Sequence, residues 1–449
     1  MKALYDSKSK TIDDKGLRSE LSTEAKLQSY LDLEGALALA QGELGVIPLD
    51  AAKNIAANCK AENIDLSELD RITREVGHGF VPLIKLLVKA CDEHSGKYVH
   101  YGITTQNIQQ SAQLFQLRKF HAKLLLSVEQ SIRNLGTLAL EHKDTVMAGR
   151  THGKHALPIT YGYKVAVWIE ELISAVKRLK QSEERVFCVM MGGAVGAFHA
   201  MGTIGREVQE HVAKQLGMHS MNIPSRNNRV YRAEYINNLA LLTTTFHKIA
   251  EEVYQTSSEE FAEVSEAFKE GTIGSSTMPQ KVNPKLAKGI IANSQKLYSV
   301  LTSTMYVAPR PFEADSSAYF VYDNNLQEAA ELTAEVLIRA EELTRTIAVN
   351  PKQMRRNVMI SNGLINSEKV MMKLVSCLGK DPAHELIYEL AMESTHSGRA
   401  YGDVLASNET ISAHFTEVEI ADLLNPEMYV GQCSNVASYW ADKALSFRA

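Results

Sequence analysis

Proline is scarce in this chain, with 11 in 449 residues, and aromatic side chains make up only 7%, two of them tryptophan. So few prolines leave long stretches in which a helix can run unbroken. Runs of about 18 apolar residues are missing, which argues against a membrane-spanning helix. The polar N-terminus lacks the apolar stretch of a signal peptide. Five cysteines (Cys59, Cys91, Cys188, Cys377 and Cys433) lie far apart and none forms a CxxC pair. That spacing indicates neither a zinc site nor a disulfide framework, and the odd number fits a reduced, cytoplasmic setting. There is no long basic block to suggest nucleic acid and no acidic tail to suggest disorder, and the formal net charge is −5. What remains is ordinary for a soluble globular protein: 45% hydrophobic and 22% charged residues, on a chain long enough for a large core or several domains.

Helical periodicity is abundant. Residues 1–20 are polar and expected to be poorly ordered or draped on a neighbour. From Ser22 the spacing of Leu27, Tyr30, Leu31, Leu37 and Leu44 predicts a helix that ends at GVIP, 45–48. Shorter helices are expected over 49–93, long ones over about 106–142 and from Pro158 to about 187. Ile236, Leu239, Leu242, Phe246, Ile249 and Val253 recur every three or four residues, and 326–347 repeats the pattern. Strand-like alternation is scarce. The expected fold is all-α: a long central helical bundle over 104–349, flanked by smaller helical domains over 1–103 and 350–449.

Several segments break the periodicity. His78 lies between two glycines and ahead of Pro82, at a turn. HYGITTQNIQQSA, His100 to Ala112, places Thr104 and Thr105 at a helix start, where they can cap the helix and also favour an anion. GRTHGKHALPITYG, Arg150 to Gly162, carries His152 and His155, but no acidic or cysteine partner stands at metal-like spacing. GGAVGAF, 192–198, lacks the GxGxxG spacing of a phosphate cradle. RNNRVYRAEY, Arg226 to Tyr235, reads either as a solvated basic turn or as a site that places Arg229 near an anion. The most unusual stretch is GTIGSSTMPQKVNP, Gly271 to Pro284, a glycine- and proline-bounded loop between two helical segments. On composition it could be a plain linker, but loops on rigid scaffolds often carry function.

The order GSSxMPxKxNP resembles the signature loop of the fumarase/aspartase superfamily. Thr104 and Thr105 resemble its second segment, and Thr151 and His152 the threonine–histidine pair of adenylosuccinate lyases. LDLEGALALAQGELGVIP looks most like carboxymuconate cycloisomerases, whereas GLINSEKVMMKLV and AHELIYELAMES resemble the C-terminal domain of both families. The resemblance spans about 22–445. It implies an all-helical homotetramer with shared active sites, acting on a small dicarboxylate without metal or organic cofactor. It also implies roles. Ser275 would be the general base and His152 the acid that protonates the leaving nitrogen. His78, Thr104, Thr105, Thr151, Arg229, Lys281 and Asn283 would bind substrate. A serine hydroxyl is a poor base unless a cation and oriented amide donors favour its ionised form, and the same groups can stabilise the aci-carboxylate that follows.

The sequence also departs from its relatives. Lys288 stands where family members have a glutamate paired with the catalytic histidine, and a lysine there would disfavour the protonated ring. Asn107 replaces an aspartate, and Ala314 stands where adenylosuccinate lyases carry a phosphate-binding arginine. Gln280 stands where they have histidine, as in argininosuccinate lyases. The leading expectation is β-elimination of an N-substituted succinate with release of fumarate, as in purine biosynthesis. The alternatives are a 3-carboxymuconate cycloisomerase, which needs no nucleotide phosphate site, and a catalytically silent assembly or binding protein.

Overall fold

The computed structural model describes residues 9–267, 275, 277, 278, 280–314 and 316–449. Gly271, Gly274 and Pro279 of the serine loop lie outside the described residues. The fold is all-α, with long helices Thr23–Glu43, Thr105–Glu141, Tyr161–Val186, Val230–Thr256, Lys285–Val307 and Ser316–Thr346. Ser22 caps the first of these by accepting from the Ala25 N–H at 3.1 Å. Asn350 caps the helix Pro351–Val358 in the same way, with Pro351 at its first position.

The chain divides into two compact units. The first comprises Met1–Ser127, Ala175–Thr244 and Gly289–Ile338. Its core draws Leu31 and Leu37, Leu117, Phe120 and Leu124, Ile236, Leu239 and Leu242, and Leu297 and Leu326, all fully or almost fully buried. Spacings of three and four residues put these side chains on one face of each helix, and each aliphatic chain withdrawn from water contributes about 1.5–3 kcal/mol. The second unit comprises Val128–Ser174, Thr245–Lys288 and Arg339–Ala449. It buries Val128, Ile132 and Leu135, Phe246, Ile249 and Val253, and a C-terminal cluster around Leu374, Ile387, Tyr401 and Ile411.

Two expectations need correction. The segment after the 105–141 helix is not a turn leading into a helix at Pro158. It is an antiparallel hairpin, Val146–Thr151 with Lys154–Thr160, in which Pro158 faces Ala148 and the helix begins only at Tyr161. A strand-edge proline has no N–H to offer, and the irregular register at Ala148–Arg150 accommodates it. Two smaller strand pairs join Cys188–Val189 with His219–Ser220 and Val264–Glu266 with Ile347–Val349. The second correction concerns residues 9–20, which are anchored rather than loose. The Glu335 carboxylate accepts from Ser9 Oγ and Arg18 Nε, each at 2.7 Å, and Leu17 is buried.

Candidate active site

Candidate residues gather in one constellation in each unit. In the first unit, a cavity of about 570 Å³ is lined by His78, Thr104 and Thr105 together with Lys26, Arg226 and Asp323. His78 does more than occupy a turn. Its Nδ1 accepts from the N–H groups of Phe80 and Val81, both at 3.1 Å, and so caps the helix Val81–Ala90. An accepting Nδ1 puts the proton of the neutral ring on Nε2.

Thr104 and Thr105 stand at the start of the 105–141 helix, where orphan N–H groups and the helix dipole favour an anion. The fully buried Asn107 fixes this turn. Its Oδ1 accepts from the Thr104 N–H at 3.2 Å and from the Gly193 N–H at 3.0 Å, while its Nδ2 faces the Gly193 carbonyl at 3.4 Å. The amide therefore ties the threonine pair to the glycine turn 192–198. That turn needs glycine, because a Cβ on Gly192 would come within 2.7 Å of Pro224 and Gly196.

Arg226 and Arg229 have different places. Arg226 lines the cavity, its Nη1 bonded to the Ala194 carbonyl at 2.9 Å and its Nε to Gln106. Arg229 is buried and stacks on Tyr319, 4.3 Å from the ring centroid, while its carbonyl accepts from the Tyr322 hydroxyl. Asp323 pairs with Arg232 at 3.0 Å. Its recessed position raises its carboxyl above the ordinary carboxylate range, against the pull of Arg232, Lys26 and Arg229.

In the second unit, Thr151 ends the first strand of the hairpin and His152 occupies its tip, exposed. His152 and Gly153 both have positive φ, 53° and 75°, as a two-residue type I′ turn requires. The preceding Arg150 binds the buried Glu263 through two nitrogens, at 3.0 and 2.5 Å, and lies over the Phe261 ring. Asn357 donates to the same carboxylate at 2.8 Å. His155, opposite Arg150 in the hairpin, is held below the ordinary histidine range by burial and then by Arg150, with Glu263 opposing.

The serine loop begins just beyond Glu263. Glu266 accepts from the N–H groups of Leu286 at 3.0 Å and Ala287 at 2.6 Å, which fastens the strand before the loop to the helix after it. Ser275 is half-buried, and its Oγ accepts from the Met278 N–H at 3.2 Å and, more weakly, from the Thr277 N–H at 3.5 Å. Lys281 is exposed and its N–H bonds the Met278 carbonyl at 3.0 Å; Asn283 is half-buried. Lys288 lies in the first turn of the 285–307 helix, also half-buried.

From the basic segment 226–235 the sequence points to Arg229, whereas Arg226 is the arginine that lines the cavity; Lys26, Asp323, Glu263 and Glu266 it does not single out. Each sits in a charged or helical stretch that looks the same as a solvated face, and no motif marks it. Among the described residues no helix is long and apolar enough to cross a membrane.

Fold and site together define a class: long-helix proteins with a hydroxyl pair at a helix start, a histidine-tipped hairpin and a serine–lysine–asparagine loop. The chain belongs to the fumarase/aspartase, or fumarate lyase, superfamily. The family model described as lyase matches residues 10–296, and the one described as adenylosuccinate lyase C-terminus matches 363–438. The chain is 35% identical to the N-acetyl-S-(2-succino)cysteine lyase of Dickeya dadantii over 415 residues, 92% of this chain and 91% of that protein. It is also 35% identical to the adenylosuccinate lyase of Methanothermobacter thermautotrophicus over 411 residues, 91% of this chain and 92% of that protein. Among solved structures, the 3-carboxy-cis,cis-muconate lactonizing enzyme of Pseudomonas putida superposes with a TM-score of 0.90 at 28% identity, covering 99% of this chain and 100% of that one.

Proposed function

We propose that this protein is a lyase that eliminates the substituent of a heteroatom-substituted succinate and releases fumarate. The single observation that carries the reading is the environment of Ser275 Oγ, which accepts from two backbone N–H groups. Such donors favour the alkoxide over the hydroxyl, the bias a serine base needs. In this reading Ser275 removes the proton from the carbon next to a substrate carboxylate. The bond from the neighbouring carbon to the nitrogen or sulfur then breaks, its electron pair goes to the heteroatom, and His152 supplies the proton. Thr104, Thr105, Lys281 and Asn283 hold the carboxylates, with His78 and Thr151 completing the binding set and the buried Arg229 acting through the Tyr319 ring it stacks on, and the chemistry calls for no metal or organic cofactor. Asn107 gives the threonine pair a fixed, bonded position, as a carboxylate-binding turn requires.

Relatives named for adenylosuccinate and for N-acetyl-S-(2-succino)cysteine make an amine and a thiol the two leaving groups to try first. Purified protein is expected to release fumarate from at least one such adduct, and Ser275→Ala to lower the rate by about 10² or more while substrate still binds. Lactone formation from 3-carboxymuconate with no fumarate released from any adduct would replace this reading by the cycloisomerase one. Undiminished turnover in Ser275→Ala would remove the base assignment.

A further inference from the structure

The cavity of the first unit carries more chemistry than a succinyl group needs. Besides His78 and the threonine pair it presents two cations, Lys26 and Arg226, and one carboxylate, Asp323. Arg226 is held by neutral acceptors, the Gln106 amide and the Ala194 carbonyl, and lies over the Tyr319 ring at 5.7 Å. Its positive charge is therefore oriented but not neutralised by those contacts. Lys26 stands on the exposed side of the 23–43 helix, one turn before Tyr30, and is close enough to Asp323 to pull on its carboxyl. Asp323 gives one oxygen to Arg232, yet its side chain keeps 41% of its surface accessible in the cavity wall. A carboxylate both paired and solvent-accessible can still accept a hydrogen bond from a ligand.

We infer that this cavity is a leaving-group subsite for an α-amino acid or its N-acyl derivative, with Lys26 and Arg226 holding the carboxylate and Asp323 accepting from the amine or amide N–H. The inference rests on the fumarate-releasing reading for what the group departs from. Charge decides between this ligand and a nucleotide. A succinyl thioether of an N-acyl amino acid brings three negative charges, and a succinyl nucleotide with a phosphate dianion brings four. Lys26 and Arg226 serve the single leaving-group carboxylate of the first, while Asp323 repels a phosphate dianion and accepts from the ammonium or amide N–H beside that carboxylate. A charge placed against the wrong ligand is a common source of specificity. Tyr30, Tyr319 and Phe320 line the same cavity and offer aromatic surface to a short aliphatic or thioether arm.

The test uses full-length protein with three adducts, S-(2-succino)cysteine, its N-acetyl derivative and adenylosuccinate, in wild type, Lys26→Gln and Asp323→Asn. The two cysteine adducts are expected to release fumarate with a lower KM than adenylosuccinate. Lys26→Gln should raise KM for both cysteine adducts about tenfold, the weight of one charge-assisted hydrogen bond, with kcat within about twofold. Asp323→Asn should raise KM more for the free amine than for the N-acetyl compound if the ammonium is the natural group, and equally for both if the amide is. Because Asp323 also pairs with Arg232, its variant could fail to fold; Lys26, on an exposed helix face, keeps the test decisive. An unchanged KM in Lys26→Gln, or adenylosuccinate as the substrate of lowest KM, overturns the subsite. If wild type releases fumarate from no adduct, the elimination reading fails on its own. Calorimetry with cysteine and N-acetylcysteine then judges the subsite: binding weakened about tenfold by Lys26→Gln supports it, and absence of binding overturns it.

Discussion

Single residues explain where this chain departs from its relatives. Asn107 is informative because its two functions are separable. The oxygen serves two partly buried N–H groups, and the nitrogen makes one long contact to Gly193. Asn107→Asp keeps both acceptances, gives up only the 3.4 Å donation and places a carboxylate near a carbonyl, so activity and stability are expected to change little. Asn107→Leu removes the acceptor of two partly buried N–H groups, at about 0.5–1.5 kcal/mol each, and frees the turn that presents Thr104 and Thr105. Thermal unfolding should show the loss directly, and KM for the dicarboxylate should rise with it. Equal Tm values for the two variants would mean that the hydrogen bonds contribute nothing.

Elements set how much of the site the sequence reveals. The serine loop is legible because glycine, proline, serine and lysine stand in an order that helix or strand periodicity does not produce. Thr104 and Thr105 are legible because a helix start has its own chemistry. The hairpin that carries His152 is hidden for a physical reason. Its turn residues, His and Gly, are a less familiar type I′ pair than Asn and Gly, and Pro158 looks like a helix start when it is a strand residue. The clamp behind the hairpin is equally hidden, since it depends on Arg150, Glu263 and Asn357 meeting across more than 200 residues of chain. Breaking a buried pair by removing one partner is costly, so Arg150→Met should destabilise by about 3–5 kcal/mol, readable as a lower denaturation midpoint. His155 makes the same element sensitive to pH. Burial and Arg150 lower its folded value, so the unfolded chain takes up the proton first. The contribution of the neutral ring is complete above the ordinary histidine value of about 6.5 and is lost as pH falls below it towards the folded value. Urea midpoints recorded between pH 8 and 5 should therefore fall more in wild type than in His155→Gln, and parallel curves would exclude this histidine as a cause.

At the scale of the molecule, the same helices that bury the core carry apolar side chains that stay largely exposed among the described residues. Leu126 is 66% exposed, Val230 68%, Met305 59%, Tyr306 77% and Phe320 75%. They come from four of the long helices, whereas scattered single exposures on one helix would need no explanation. A second copy of the chain offers matching surfaces, and closed dihedral symmetry lets every copy cover such faces without leaving an open end. The expected state is a homotetramer. Association also bears on the chemistry, because His152 waits on an exposed hairpin tip and Lys281 is exposed, positions poorly suited to excluding water unless another surface closes over them. Light scattering at micromolar protein should give about four times the chain mass. Leu126→Lys together with Tyr306→Lys should lower that mass while leaving helical circular dichroism unchanged, and fumarate release should fall in parallel with the loss of the assembled species. A wild-type protein that stays monomeric at these concentrations and still turns over substrate would show that each chain holds a complete site of its own.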